Sequence, residues 1–380
     1  MQDTNALRDR VKGAVLGAII GDALGVGPHW YYEPGQVQAE FGGYVDTYVA
    51  SKPGRYHEGV QPGDVSQTGQ LLLLLLDSVA QQGCYSQQDY CARLDGLLDT
   101  LDGTPYSGRY TDQAMRDVWR GRKQQQQTWG EVGSYADTSE AAIRSVVLAA
   151  RYASSYLEVG RTVSADTQLT HADPVMRGQT LSFATIVAAI INGEPFDEHI
   201  GTRLRELSKT GALPFTHAVL AEERQPAAAA AGQQEGGISS SSNSISNVQR
   251  PRDPTKDLFY PDGLLLPGWI IKAAQDPDVS IPPLKVPLVY GMACSIQFLL
   301  PAAYWYAAFF AGRPDHFEAA VLAAVNSGGN NMARAALTGA LVGAMVGQSV
   351  IPARLVEGLV GWQQLLPLLD KLAADAFPDS

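Results

Sequence analysis

Apolar residues along this chain recur mostly at helical spacing. Ala14, Val15, Ala18 and Ile19 fall on one face of a first segment. Ile143, Val146, Val147, Ala150, Ser154 and Leu157 define a second. Asp137-Thr-Ser-Glu140 ahead of it reads as a capping box, with an acceptor at the N-cap and a Glu three residues on. Pro174 after Asp173 opens a helix expected to run to about Asn192-Gly193, since proline's missing N–H costs nothing in a first turn. Pro314 is expected to do the same for a helix carrying Phe317, Val321, Ala324 and Val325. Leu71 to Leu76, set between Asp64 and Gln82, is too leucine-rich and too long in context for a strand. Alternating β-branched segments are scarce, and Gly43 to Val49 is the best strand candidate. The pattern predicts an all-α protein.

Two stretches test that reading. Val286 to Gly312 carries no charge, but Pro287, Ser295, Gln297 and Pro301 interrupt it, so we expect a buried core helix rather than a membrane span. Gly339, Gly343 and Gly347, four apart, are expected to let two helices approach closely. Near the N-terminus Arg8, Arg10 and Lys12 precede an apolar run, but Asp3 and Asp9 sit among the cations and the run stops after seven residues at Gly21-Asp22, so no signal peptide is expected. Ala221 to Asp257 holds an Ala run, a Ser run and no aromatic residue. It cannot bury enough apolar area to offset the entropy of ordering. We expect one domain over residues 1–380, interrupted by a disordered insertion at about 221–257. Gln124–Gln127 reads as a loop or frayed helix end.

Composition narrows the function. Only 18% of residues are charged, and the net charge of −11 argues against a nucleic-acid backbone binder. Three cysteines without CxxC spacing fit a reducing compartment, and a cytoplasmic location is expected. No GK[ST] loop, HExxH or metal-spaced Cys/His cluster is present.

Candidate chemistry gathers in four loops. Gly21-Asp22-Ala-Leu-Gly25, read as a turn after the first helix, leads to His29-Trp30-Tyr31-Tyr32, a stacking pocket or an acid/base site. Tyr56-His57 precedes Asp64, read as an N-cap or first-turn acid, and the polar patch Ser66, Gln67, Thr68. Thr170-His171-Ala-Asp173-Pro174 holds an N-cap Asp and a loop His. Gly328-Gly329-Asn330-Asn331 is a tight turn before an Ala-rich helix.

In this order the pieces resemble the ADP-ribosylglycohydrolase superfamily, and within it the J1-crystallin-like branch. Lys12 to Gly25 is similar to the family's opening helix and turn, Thr170 to Pro174 to its central His-Asp-Pro turn, and Ala302 to Gly329 to the helix pair before its C-terminal metal loop. The resemblance implies a compact orthogonal multi-helix bundle, two central magnesium ions, and removal of ADP-ribose from proteins or small molecules. The departures are specific. The family's Glu after the first turn is His29 here. Its Thr-Asp-Asp-Thr is Val65, Ser66, Gln67, Thr68, and its Asp-Thr-Asp-Thr is Asn330, Asn331, Met332, Ala333. Neutral ligands cannot balance two divalent cations, so no metal or other cofactor is expected.

Two readings follow. In the first, the protein hydrolyses or binds an ADP-ribosyl or related ribosyl ligand. His29 or His57 is the base, and Asp64 orients it or is its acid/base partner. Trp30 and Tyr32 stack a base, and Ser66, Gln67, Thr68, His171, Asn330 and Asn331 grip the ligand. In the second, it is a catalytically inactive structural or ligand-binding protein. Neither involves nucleic acid or a membrane.

Overall fold

A computed structural model describes residues 3–33, 35–209, 261–264 and 266–379. Among them the regular structure is helical, with three isolated β-bridges and no strand. The expected insertion at 221–257 lies outside the described residues.

The fold is organised on two antiparallel helices, Thr4–Val26 and Asn331–Val346, buried through most of their length. Their register follows from small residues. A Cβ built on Gly13 would lie 2.2 Å from Gly343 O, one on Gly17 2.0 Å from Gly339 O, and one on Gly21 2.1 Å from Ala335 O. At Gly25 it would meet Met332 Cα at 2.3 Å. Only missing Cβ atoms permit such backbone contact, which the Gly339/Gly343 spacing foreshadowed. Gly21 and Gly25 therefore sit inside the first helix, not in a turn after it.

Around this pair pack Gln67–Gln82, Glu140–Arg151, Pro174–Ile191 and Ile296–Phe309. Leu71, Leu72, Leu75 and Leu76 are buried, as the helical reading of that run requires. Asp173 caps Pro174–Ile191 by accepting from Met176 N at 2.9 Å. That helix is long and apolar enough to cross a membrane, but 83% of it is buried within the fold. Phe317, Val321, Ala324 and Val325 are buried on His316–Asn326, which starts two residues after Pro314. A buried ion pair, Arg144 Nε to Asp166 Oδ2 at 2.7 Å, joins Glu140–Arg151 to Tyr156–Gln168.

Several local expectations are corrected. Gly43 to Val49 forms no strand: Val45 N donates to Asn326 Oδ1 and Val45 O accepts from Asn326 Nδ2, both at 2.8 Å. A side-chain amide thus satisfies the groups a neighbouring strand would have paired. Val286 to Gly312 is two helices, Val286–Tyr290 and Ile296–Phe309, broken at Gly291 with φ 123°. The periodicity through Ser154 and Leu157 crosses a break at Tyr152, and Leu157 is exposed. Asp64 does not cap Gln67–Gln82; Ser66 does, its Oγ accepting from Gly69 N.

Asp137-Thr-Ser-Glu140 is not a capping box. Asp137 O accepts from Ile296 N at 2.8 Å, and Thr138 bridges Ser295. That pairing holds the segment extended, so the helix starts at Glu140 itself and its carboxylate turns elsewhere.

Candidate functional site

The antiparallel pair delivers two loops to one end of the fold: Gly27 to Tyr32 after the first helix, and Gly328 to Asn330 before the last of the pair. Tyr31 and Gly329 form a bridge, with Gly329 N donating to Tyr31 O at 2.6 Å. Asn331 locks them. Its Nδ2 donates to Pro28 O and Val325 O, so its Oδ1 faces His29 Nδ1 at 3.1 Å. This network assigns the His29 proton to Nδ1 and leaves Nε2 as the lone-pair nitrogen. Asn330 is spent on structure, its Oδ1 capping Ala333 N.

His29 packs on His57, ring centroids 4.9 Å apart. Both are 2% exposed. Burial, then the neighbouring His57 ring and the guanidiniums of Arg55 and Arg334, hold His29 well below the usual imidazole range. Burial, then Arg109, pushes His57 down to about 4. Neither His57 nitrogen has a hydrogen-bond partner. Asp64 orients neither ring: its carboxylate takes a two-pronged bond from Arg109, at 3.0 and 2.6 Å, and a bond from Val65 N.

Over this pair stands an aromatic wall. Trp30 contacts His29, Tyr32, Tyr56 and Tyr110, with centroids 5.0 to 6.1 Å apart. Tyr56 stacks on Tyr106 and meets Tyr110 edge-on. Tyr32 and Tyr106 are 47% and 65% exposed, whereas the imidazoles beneath are sealed.

The loop Arg109 to Asp112 connects everything. Arg109 clamps Asp64 and Val65 O. Tyr110 joins the wall. Thr111 Oγ1 accepts from Gln67 Nε2 at 2.8 Å. Asp112 lies close enough to Glu140 for the two carboxyls to act on each other's charge. Burial raises Asp112 well above the carboxylate range, and the Glu140 charge adds to it. For Glu140, burial is outweighed by bonds from His171, Asp112 and Thr138, which draw it down to about 2. Glu140 is therefore the ionised partner and Asp112 the neutral acid, a division of roles typical of acid/base pairs.

His171 stands in this second group, 3.1 Å from Glu140 Oε2 through Nε2. Its Nδ1 is 2.7 Å from Thr170 Oγ1, which already accepts from Arg144 Nη2. The Thr170 hydroxyl proton is thus free for Nδ1, which places the His171 proton on Nε2, toward Glu140.

Ser66 holds Asp22 through N at 2.7 Å and Oγ at 2.6 Å. Burial nonetheless pushes the Asp22 carboxyl up to about 6. Thr68 is buried one residue beyond Gln67. The expected residues therefore divide in two. His29, Trp30, Tyr32, His57 and Asn331 form one cluster, which Gln67 joins through Thr111. His171 belongs to the Glu140 group, and Ser66 serves Asp22. Tyr110, Thr111, Asp112, Glu140 and Arg334 were not anticipated. The mixed aromatic and acidic run Arg109-Tyr-Thr-Asp112 was the available signal.

Arg334 lies under the Gly328–Gly329 turn, fully buried. Its Nη2 donates to Ala324 O and Gly328 O, while Nε and Nη1 have no partner. Among the described residues no carboxylate pairs with Arg334 or Arg55. Three surface cavities lie away from this end, beside Trp362, Phe310 and Trp269.

Comparison with known proteins agrees with this architecture. No curated protein matches the chain. A solved structure described as an ADP-ribosylglycohydrolase-related protein complex is similar in fold. It is 17% identical with a TM-score of 0.58, over 98% of this chain and 99% of that one. The family model for ADP-ribosylglycohydrolase matches residues 3–379. On that match, over nearly its whole length, this chain belongs to the ADP-ribosylglycohydrolase family.

Proposed function

We propose that the protein binds an ADP-ribosyl or related ribosyl ligand at the aromatic end of the fold, without a two-magnesium centre. The donor set carries the second half of this reading. Magnesium demands oxygen ligands, normally including carboxylates. Asp22 has both oxygens engaged by Ser66. Asn330 caps its helix, and all of Asn331's polar atoms are engaged. Met332 and Ala333 bring no side-chain oxygen, and an imidazole stands at position 29. Two guanidiniums without carboxylate partners, Arg55 and Arg334, oppose a further four positive charges. These residues do not fit the metal pair, and no catalytic step is derived through it.

The aromatic wall supports the first half. Trp30, Tyr32, Tyr56 and Tyr106 offer ring faces at the surface, and stacking of one base on an aromatic ring contributes about 1–3 kcal/mol. The Asp112–Glu140 pair beside them is a neutral acid next to a carboxylate, suited to ribose hydroxyls as donor and acceptor.

A second reading, a J1-crystallin-like protein with no ligand, draws on a different observation. Ser66–Asp22, Gln67–Thr111 and Asn331–His29 satisfy one another as structural networks do.

Calorimetric titration with ADP-ribose in EDTA separates the two. The binding reading expects saturation, weakened roughly tenfold by Trp30→Ala, since one stacked base contributes about that much. No heat, and no turnover of ADP-ribosylated arginine or serine, would leave the structural reading standing.

A further inference from the structure

Around His29 the fold concentrates polar groups that have nothing to bond. Both nitrogens of His57, Nε1 of Trp30, Nε of Arg55, the hydroxyl of Tyr31 and two nitrogens of Arg334 are buried and unpartnered. A polar atom left dry in a protein interior is costly, so such a set marks a place that water or a ligand fills.

The charge of the set decides between them. Arg55 lies over the Tyr31 ring at 3.9 Å and reaches Trp30 O, so its head is directed into the cluster from a partly exposed position. Arg334 is fully buried, donates to Gly328 O beside the Tyr31–Gly329 bridge, and its charge acts on His29. Neither has a carboxylate among the described residues. The other charges nearby have partners: Arg109 is matched by Asp64, Asp22 is bound to Ser66, and Glu140 accepts from Thr138 and pairs with His171. Two guanidiniums without carboxylates thus act on the packed His29–His57 pair, where the family resemblance puts divalent cations. The sign of the site is inverted.

We infer that Arg55, Arg334, His57 and the Trp30 indole form an anion site that takes a phosphate-type oxyanion in place of the metal pair. Guanidinium suits this ligand because its fixed fork of N–H donors matches two oxygens at once. Arg334 keeps Nη2 on the turn carbonyls and offers Nε and Nη1. Arg55 offers Nε, His57 an N–H, and Trp30 its indole N–H. The inference deepens the ribosyl-binding reading, since a diphosphate here would leave the attached base to the aromatic wall.

The test titrates inorganic phosphate, pyrophosphate and ADP-ribose separately into the full chain, at constant ionic strength and in EDTA, by calorimetry and thermal shift. Saturable pyrophosphate binding is expected, at least tenfold weaker in Arg55→Met and in Arg334→Met. Arg334→Lys, which keeps the charge but not the fork, should lie between wild type and Arg334→Met. Arg55→Met carries the test if the buried substitution unfolds. No saturable binding of either inorganic anion, or binding within twofold of wild type in Arg55→Met, overturns the inference. ADP-ribose binding that ignores both arginines would leave the ribosyl reading intact and sink this one. Pyrophosphate binding without ADP-ribose binding would do the reverse.

Discussion

Gly17→Ala is the sharpest mechanical test of how this site is built. The added Cβ would lie 2.0 Å from Gly339 O and 3.1 Å from a Phe317 ring atom. Ordinary contact begins near 3.4 Å. The two helices must therefore separate by more than ~1 Å, because backbone cannot rotate away as a side chain can. Overpacking of this kind costs about 1–3 kcal/mol where side chains can adjust, and we expect at least the upper end here. In a domain of this size the melting temperature should fall by on the order of 5 °C. Gly96→Ala is the control. Gly96 is exposed within Gln87–Leu98, and a Cβ there meets nothing within 4 Å. It should gain roughly 0.5–1 kcal/mol, as alanine does over glycine in a helix. Urea unfolding of both variants checks the pair of signs. A Gly17→Ala protein as stable as wild type would refute the claim that direct backbone contact sets the helix register, and with it the placement of His29 against Asn331.

Four further outcomes follow from the buried charges. His57 is held at about 4 and so stays neutral in the fold, while the unfolded chain takes a proton below about 6.5. Stability from this group rises with pH between 4 and 6.5, by about 3 kcal/mol. Asp22, raised to about 6, works the other way and loses a similar amount between about 4 and 6. Relative to wild type, Asp22→Asn should therefore rise more steeply with pH in this window, and His57→Phe should rise less or fall. Equal slopes in urea titrations of all three would contradict both assignments. Glu140→Gln removes the charge that helps keep Asp112 neutral, and carbon-detected NMR should show the Asp112 carboxyl titrating closer to the ordinary range; an unchanged titration would show that Glu140 is not its partner. Asp166→Asn strands the Arg144 charge, and a loss of about 3–5 kcal/mol is expected in denaturant unfolding. Cys294 has its thiol pushed up to about 12 by burial and then by Asp112, Glu140 and Asp137. Iodoacetamide at neutral pH should label exposed Cys84 well before it, as peptide mass spectrometry can report.

Long-range pairing explains which features were legible in the sequence. The leucine run, the Pro174 helix and the Gly339/Gly343 spacing declare themselves because periodicity and glycine placement are local signals. Glu140 misleads for the same reason. Its spacing from Asp137 mimics a cap, whereas its partners are His171, 31 residues on, and Asp112 in another loop. Asp64 misleads likewise, since Arg109 lies 45 residues away. His29, Trp30, His57 and Asn331 were singled out from residue type and from family resemblance, and the fold brings these four together. Arg334 was invisible: on a helix whose other side chains are nearly all uncharged, only the tertiary structure reveals a buried cation without a counter-charge.

We propose that this family member has exchanged its metal pair for a cationic, imidazole-lined site. The most direct measurement is calorimetric titration of magnesium into the EDTA-stripped and desalted protein, alone and with saturating ADP-ribose. We predict no saturable magnesium binding in either state, and ADP-ribose affinity unchanged by the metal. Two equivalents of magnesium binding with micromolar affinity, or ADP-ribose binding that requires them, would contradict it.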